Sequence, residues 1–182
     1  MEDPEFFSFL KKRQGLLDGV CVTGGEPLLR RELPDFLRAI RDLGFLTKLD
    51  TNGSHPEGLR QLLKEGLVDY VAMDIKNSPE RYGETIGRPE FDLTPIRESV
   101  RLLMEGSADY EFRTTVVSQL HDEEAFHAMA QWLQGAKRCY LQPFADRDTV
   151  PVAGLSAPSP EALSRYAEIL RTAVPNTTIR GI

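Results

Sequence analysis

Cysteine is scarce in this 182-residue chain: Cys21 and Cys139 are its only two. Two thiols cannot build a disulfide framework, and they suggest a reducing, cytoplasmic setting. They also fall short of the three or four thiolates that an iron–sulfur cluster usually takes. No apolar run approaches the ~20 residues that span a bilayer, so no membrane span is expected. The stretch from Met1 to Phe9 carries acids and lacks the basic start of a signal peptide. Excess positive charge is missing too. Basic residues number 22 against 28 acidic ones, a net charge of −6, whereas a protein that coats nucleic acid is ordinarily basic. Histidine occurs three times, as His55, His121 and His127. The last two are six apart and would fall on different helix faces, and His55 stands alone on a loop, so no histidine metal site is expected.

What the chain does have is a repeated alternation. Short apolar strands are read at Gly19–Thr23, Phe45–Asp50, Val68–Asp74, Tyr110–Val117 and Lys137–Gln142, with a further one over Thr177–Ile182. Between them lie helix-period stripes. One runs from Leu33 to Leu43 and another from Pro56 to a stop at Gly66. A short helix is read around Arg81–Ile86. A further helix begins at Pro95 and stops at Gly106, and one capped near Asp122 follows. Ser159 and Pro160 open the last helix as N-cap and N1, after a Pro-, Ala- and Ser-rich loop over Asp146–Pro160. Strands alternating with helices imply βαβ units and a parallel sheet, in one domain over residues 1–182. The class is α/β, either an open doubly wound sheet or a partial barrel. Both place ligands at the C-terminal ends of the strands.

Those ends are polar. Gly24-Gly25-Glu26-Pro27 follows the first strand and Asp50-Thr51-Asn52-Gly53 the second. Asp74-Ile75-Lys76 ends the third, and Gln142-Pro143 the fifth. Alternate residues of a strand share a face, so Lys48 joins Asp50 and Asn52, Asp74 joins Lys76, and Glu111 joins Arg113 and Thr115. Apolar neighbours take the other parity. Helix capping accounts for Asp50, Asn52 or Ser54 singly, but gives no reason for Lys48 and Arg113 to face inward. A polar, ligand-facing interior is therefore expected. Paired glycines after a strand allow close backbone approach to a ligand, and Glu26 beside them suits an ammonium group. Neither phosphate fingerprint is present. With Val20 and Val22 on the opposite parity, Cys21 reads as a small residue of the core or pocket wall, and Cys139 as a buried one.

Val22-Thr23-Gly24-Gly25-Glu26-Pro27-Leu28-Leu29 resembles the radical SAM superfamily. Leu49-Asp50-Thr51-Asn52-Gly53 and Met73-Asp74-Ile75-Lys76 are similar to segments of pyruvate formate-lyase activating enzymes. With Phe112–Val117 and Leu141–Phe144, the resemblance extends to the anaerobic ribonucleoside-triphosphate reductase activating proteins. It runs from about Glu5 to Ile182 and implies a partial (β/α)6-type barrel. Gly24, Gly25 and Glu26 would hold the methionyl amine of S-adenosylmethionine, with Pro27 shaping the turn. Asp50, Thr51, Asn52 and Asp74 match a region that binds the same cofactor and a monovalent cation, Asp74 near the ribose. Lys76 and Arg113 match basic positions near its carboxylate, and Gln142 stands where related enzymes have a histidine. No residue is assigned as a general acid or base. The implied partners are a glycyl radical enzyme, here anaerobic ribonucleotide reductase, and a reductant such as flavodoxin or ferredoxin.

The departure is the family's CxxxCxxC motif, ligand of a [4Fe–4S] cluster. It lies upstream of GGEP and is not in this sequence. The expectation is an N-terminally truncated chain that lacks the first barrel strand and cluster loop. Three readings stay open. One is the activase; the second is a radical SAM enzyme acting on another glycyl radical enzyme or a small molecule. The third is a non-catalytic S-adenosylmethionine-binding domain without a cluster. An ordinary phosphate-site barrel lacks its late-strand Gly-rich loop.

Overall fold

The computed structural model describes residues 3–146, 150 and 152–181. Its elements alternate as read: α1 (Asp3–Lys11), β1 (Gly19–Val22), α2 (Leu33–Asp42), β2 (Leu46–Thr51), α3 (Pro56–Lys64), β3 (Tyr70–Asp74) and α4 (Tyr82–Thr85). Then follow α5 (Thr94–Glu105), β4 (Asp109–Val116), α6 (Glu123–Trp132), β5 (Cys139–Pro143), α7 (Pro160–Arg171) and β6 (Thr177–Ile179). The six strands form one sheet in chain order, β1-β2-β3-β4-β5-β6. Registered neighbours run parallel, with Cys21 opposite Lys48, Asp50 opposite Ala72 and Thr115 opposite Gln142. The α/β parallel sheet is thus observed. Of the loop expected over residues 146–160, Arg147, Asp148, Thr149 and Pro151 lie outside the described residues, as do Met1, Glu2 and Ile182.

The chain divides into two compact units, Met1–Met73 with Pro95–Tyr110, and Asp74–Thr94 with Glu111–Ile182. In the first, α2 turns Leu33, Leu37 and Ile40 inward, the stripe that its 3.6-residue period predicts. Leu10, Ile40 and Phe45 form a buried cluster joined by Phe6, Phe7, Val20, Val22 and Phe36. Phe6 stacks on Phe36 at 5.3 Å between ring centroids. At about 25 cal/mol per Å2 of apolar surface, this packing rather than helix propensity holds so short a helix as α1.

In the second unit, Asp122 caps α6 by accepting from the Ala125 amide at 2.9 Å. Ser159 caps α7 by accepting from Ala162 at 3.2 Å. Both caps agree with the sequence reading. Phe126 stacks on Tyr166, ring centroids 4.4 Å apart. His121 is not on the helix face that spacing suggested, since it precedes the Asp122 cap.

The third strand is shorter than read. Leu67 and Val68 are buried, but the Leu67 amide bonds back to the Leu62 carbonyl at 2.9 Å. That bond closes the end of α3, and the ladder begins only at Tyr70, so Val68 and Asp69 of the read strand fall outside it.

Candidate functional site

The first unit builds a carboxylate clamp after β1. Gly24 and Gly25 take left-handed conformations, φ 97° and 57°, and no atom lies within 4 Å of where a Cβ would stand on either. Both residues are exposed. Glu26 follows in extended conformation and caps the 3-10 turn Pro27–Leu29, Oε1 accepting from the Leu28 amide at 3.1 Å. The end of β2 supplies further donors. The Thr51 hydroxyl donates to Oε1 at 2.8 Å, and the Asn52 amide donates to Oε2 at 2.7 Å. A carboxylate offers about four acceptor sites, so these three bonds fix its plane and leave capacity on Oε2. Pro27 is buried and sets the turn. A cavity of about 360 Å3 opens beside Gly24 and Pro27 and reaches Arg30 and Glu32.

Asn52 serves through its backbone. Its side-chain Oδ1 accepts from the Ser54 amide at 2.9 Å, the local turn contact that residues of its type favour. Lys48 and Asp50 share a face of β2, as parity predicts, and Lys48 Nζ stands 2.5 Å from Asp50 Oδ1. Cys21 is exposed and lines a cavity with Lys48 and Tyr70, so it is a pocket-wall residue and not a core one, and its Sγ lies 3.5 Å from the same oxygen. Its parity was legible, but β1 is an outer strand of the sheet, so that face is left open. Desolvation around the sulfur and the Asp50 carboxylate push the Cys21 thiol up.

The second unit gathers Asp74, Lys76 and Arg113. Asp74 Oδ2 accepts from Lys76 Nζ at 2.8 Å. Its Oδ1 accepts from Arg113 Nε and Nη2 at 3.1 and 3.0 Å. Two cations on one carboxylate leave a local charge of about +1, which favours an anionic ligand group. Gln142 is half-buried on β5, opposite Thr115. Glu111 is buried, and Arg180 grips it with Nη1 at 3.0 Å and Nη2 at 3.1 Å.

Sequence reasoning missed a latch in this unit. His121 is buried, and its Nε2 lies 3.0 Å from the Lys76 carbonyl. Its Nδ1 accepts from the Val117 amide at 3.1 Å. Asn77 donates to the Leu120 carbonyl at 2.8 Å. Both hold the backbone just after Asp74. An Asn directly after Asp-Ile-Lys was the available signal, but only a fold could pair it with residues 117–121.

An iron–sulfur cluster does not fit the described residues. They hold no group of three or more Cys, His, Asp or Glu side chains arranged for a metal. Cys139 is buried, and burial pushes its thiol up to about 12. The chemistry of the methionyl ammonium of S-adenosylmethionine does suit the clamped Glu26 carboxylate, an acceptor beside the exposed Gly24 and Gly25.

The family model for the radical SAM superfamily matches residues 5–132. The chain belongs to that superfamily. Membership implies S-adenosylmethionine and an iron–sulfur cluster, and makes the protein an enzyme by family. A Methanocaldococcus jannaschii protein named as a glycyl-radical enzyme activating enzyme is 30% identical over 171 residues, 91% of this chain and 71% of the relative. A biotin synthase of Histophilus somni is 34% identical over 74 residues, 41% of this chain and 22% of that enzyme. Among solved structures, a domain of pyruvate-formate lyase-activating enzyme from Bacteroides vulgatus superposes with a TM-score of 0.70 at 23% identity. That match covers 90% of this chain and 99% of the other. Streptococcus suis SuiB gives 0.70 at 13% identity, over 98% of this chain and 43% of SuiB. At those identities, the likeness is one of fold. No described helix is long and apolar enough to cross a membrane.

Proposed function

We propose that this radical SAM protein is a glycyl-radical-enzyme activase, with anaerobic ribonucleotide reductase as its target. The observation that carries the reading is the Glu26 carboxylate, held by Thr51, Asn52 and Leu28 beside the exposed Gly24 and Gly25. In the first unit, Gly24, Gly25 and Glu26 take the methionyl ammonium, and Asp50 and Thr51 stand by as cofactor-side residues. The second unit, taken by itself, holds Lys76 and Arg113 on Asp74 and carries positive charge suited to an anionic group. The activating-enzyme relative supports the activase class; the target rests on the resemblance of Phe112–Val117 and Leu141–Phe144.

When bound, the cofactor supplies radical chemistry, while the chain's own residues bind and orient it. A glycyl radical enzyme is then the partner, a flavodoxin or ferredoxin the reductant, and the compartment the cytoplasm.

The test has two stages. Equilibrium dialysis of the purified chain against labelled S-adenosylmethionine measures binding, and Glu26→Gln should weaken it at least about tenfold, the loss of one charge-assisted hydrogen bond. Anaerobic incubation with iron, sulfide, reductant and anaerobic ribonucleotide reductase, read by electron paramagnetic resonance, follows. A glycyl radical doublet supports the activase reading. Binding without a doublet would favour a cofactor-binding domain, and no binding would overturn the site itself.

A further inference from the structure

At the end of β3 the backbone of the second unit is held by side chains. Asp74, Ile75 and Lys76 offer three consecutive carbonyls, and each meets a side chain from a different part of that unit. The Tyr82 hydroxyl of α4 donates to the Asp74 carbonyl at 3.4 Å, and the Thr114 hydroxyl of β4 donates to the Ile75 carbonyl at 2.9 Å. His121 Nε2 lies 3.0 Å from the Lys76 carbonyl. A carbonyl only accepts, so this His121 nitrogen carries the proton and donates it. All three side chains are buried. The Ile75 amide also donates to the Arg113 carbonyl at 2.8 Å, so β4 grips the same segment through its backbone. This fixed segment carries Lys76, whose side chain is 39% exposed. An ammonium has three N–H donors, and Asp74 takes one at 2.8 Å, which leaves two for a ligand.

We infer that Thr114 and His121 are positioning residues, which fix the Ile75 and Lys76 backbone so that the Lys76 ammonium meets the carboxylate of S-adenosylmethionine. The inference rests on the cofactor reading proposed above. That cofactor has one anionic group, its carboxylate, so the positive charge of this unit has a single group on it to attract. A lysine stem is flexible, and ordering it on binding costs conformational entropy. Here the stem is already drawn to Asp74 and rises from a backbone held on both sides of Ile75. Much of that freedom is lost before a ligand arrives, which is the advantage of a preorganised site.

Equilibrium dialysis of the full chain compares S-adenosylmethionine with its decarboxylated analogue, which keeps the ammonium and the sulfonium. The unaltered chain should bind the carboxylate form about tenfold more tightly, the effect of one charge-assisted hydrogen bond. Thr114→Val and His121→Leu should each reduce that preference to about twofold, and Thr114→Ser should restore it. A general loss of stability would weaken both compounds alike and leave their ratio in place. Thr177→Val is the control, because the buried Thr177 hydroxyl makes a like bond to the Val174 carbonyl at 2.7 Å in the same unit. It should destabilise the fold without changing the ratio. An unchanged ratio in whichever of the two test variants folds, or the same narrowing in Thr177→Val, overturns the inference. Equal binding of both compounds by the unaltered chain overturns it too, and leaves the Glu26 site standing. Binding of neither compound overturns the cofactor reading and takes this inference with it.

Discussion

Thr51 places its hydroxyl 2.8 Å from Glu26 Oε1, tying the end of β2 to the carboxylate that follows β1. The pairing depends on the parallel register, in which Val22 faces Leu49. Thr51→Val keeps the shape and removes this donor, together with the acceptor for the Gly53 amide. A loss of about 1–2 kcal/mol is expected in urea unfolding, the usual cost of breaking buried hydrogen bonds. S-adenosylmethionine affinity should fall in the same variant, and Thr51→Ser should recover most of both. Unchanged affinity in the valine variant would show that Glu26 does not rely on Thr51.

The α/β alternation, the caps at Asp122 and Ser159 and the shared face of Lys48 and Asp50 were all legible in the sequence. Each depends on residues within a few positions of one another. The Glu26–Thr51 bond and the His121–Lys76 contact span 25 and 45 positions, and only strand register and loop packing bring such residues together. Cys21 shows the limit of parity. Alternation gave its face correctly, but whether that face is covered depends on neighbouring strands. The start of the third strand was read two residues early, because Val68 is buried and apolar like a strand residue yet precedes the ladder.

Gly53 tests how tightly that strand end is packed. It sits at φ 76°, where side chains are disfavoured, and an added Cβ would stand 2.1 Å from the Met73 methyl. Its carbonyl also accepts from the buried Ser99 hydroxyl at 2.7 Å. Gly53→Ala should cost about 1–3 kcal/mol from backbone conformation alone, plus the clash. Met73→Ala in the same chain should relieve the clash and leave the backbone cost, so the double variant should lose less than the two single losses summed. Strict additivity in chemical denaturation would show that the two residues do not meet.

The two thiols should separate by reactivity. Cys21 is exposed, while Cys139 is buried in β5 with its thiol pushed up to about 12 by burial. Under native conditions a disulfide reagent should modify one thiol per chain, and denaturant should release the second. The first reaction should be slower at neutral pH than that of a free thiol, because desolvation and Asp50 oppose the thiolate. Two equally fast thiols would contradict the buried placement of Cys139.

His121 should make the fold acid-sensitive. Burial, helped by Arg81, holds its imidazole below the usual 6.5, outweighing the Lys76 and Val117 backbone contacts and the Asp122 carboxylate that pull upward. The unfolded chain then takes up a proton at a higher pH than the folded chain does. Stability is complete above the unfolded value and declines as pH falls from about 6.5 toward the lower folded value. The structural reason is burial, which withholds water from the charged ring. His121→Gln should lower stability at pH 8 and flatten its dependence as pH falls below about 6.5. Equal slopes for variant and parent over that range would assign the acid response to another group.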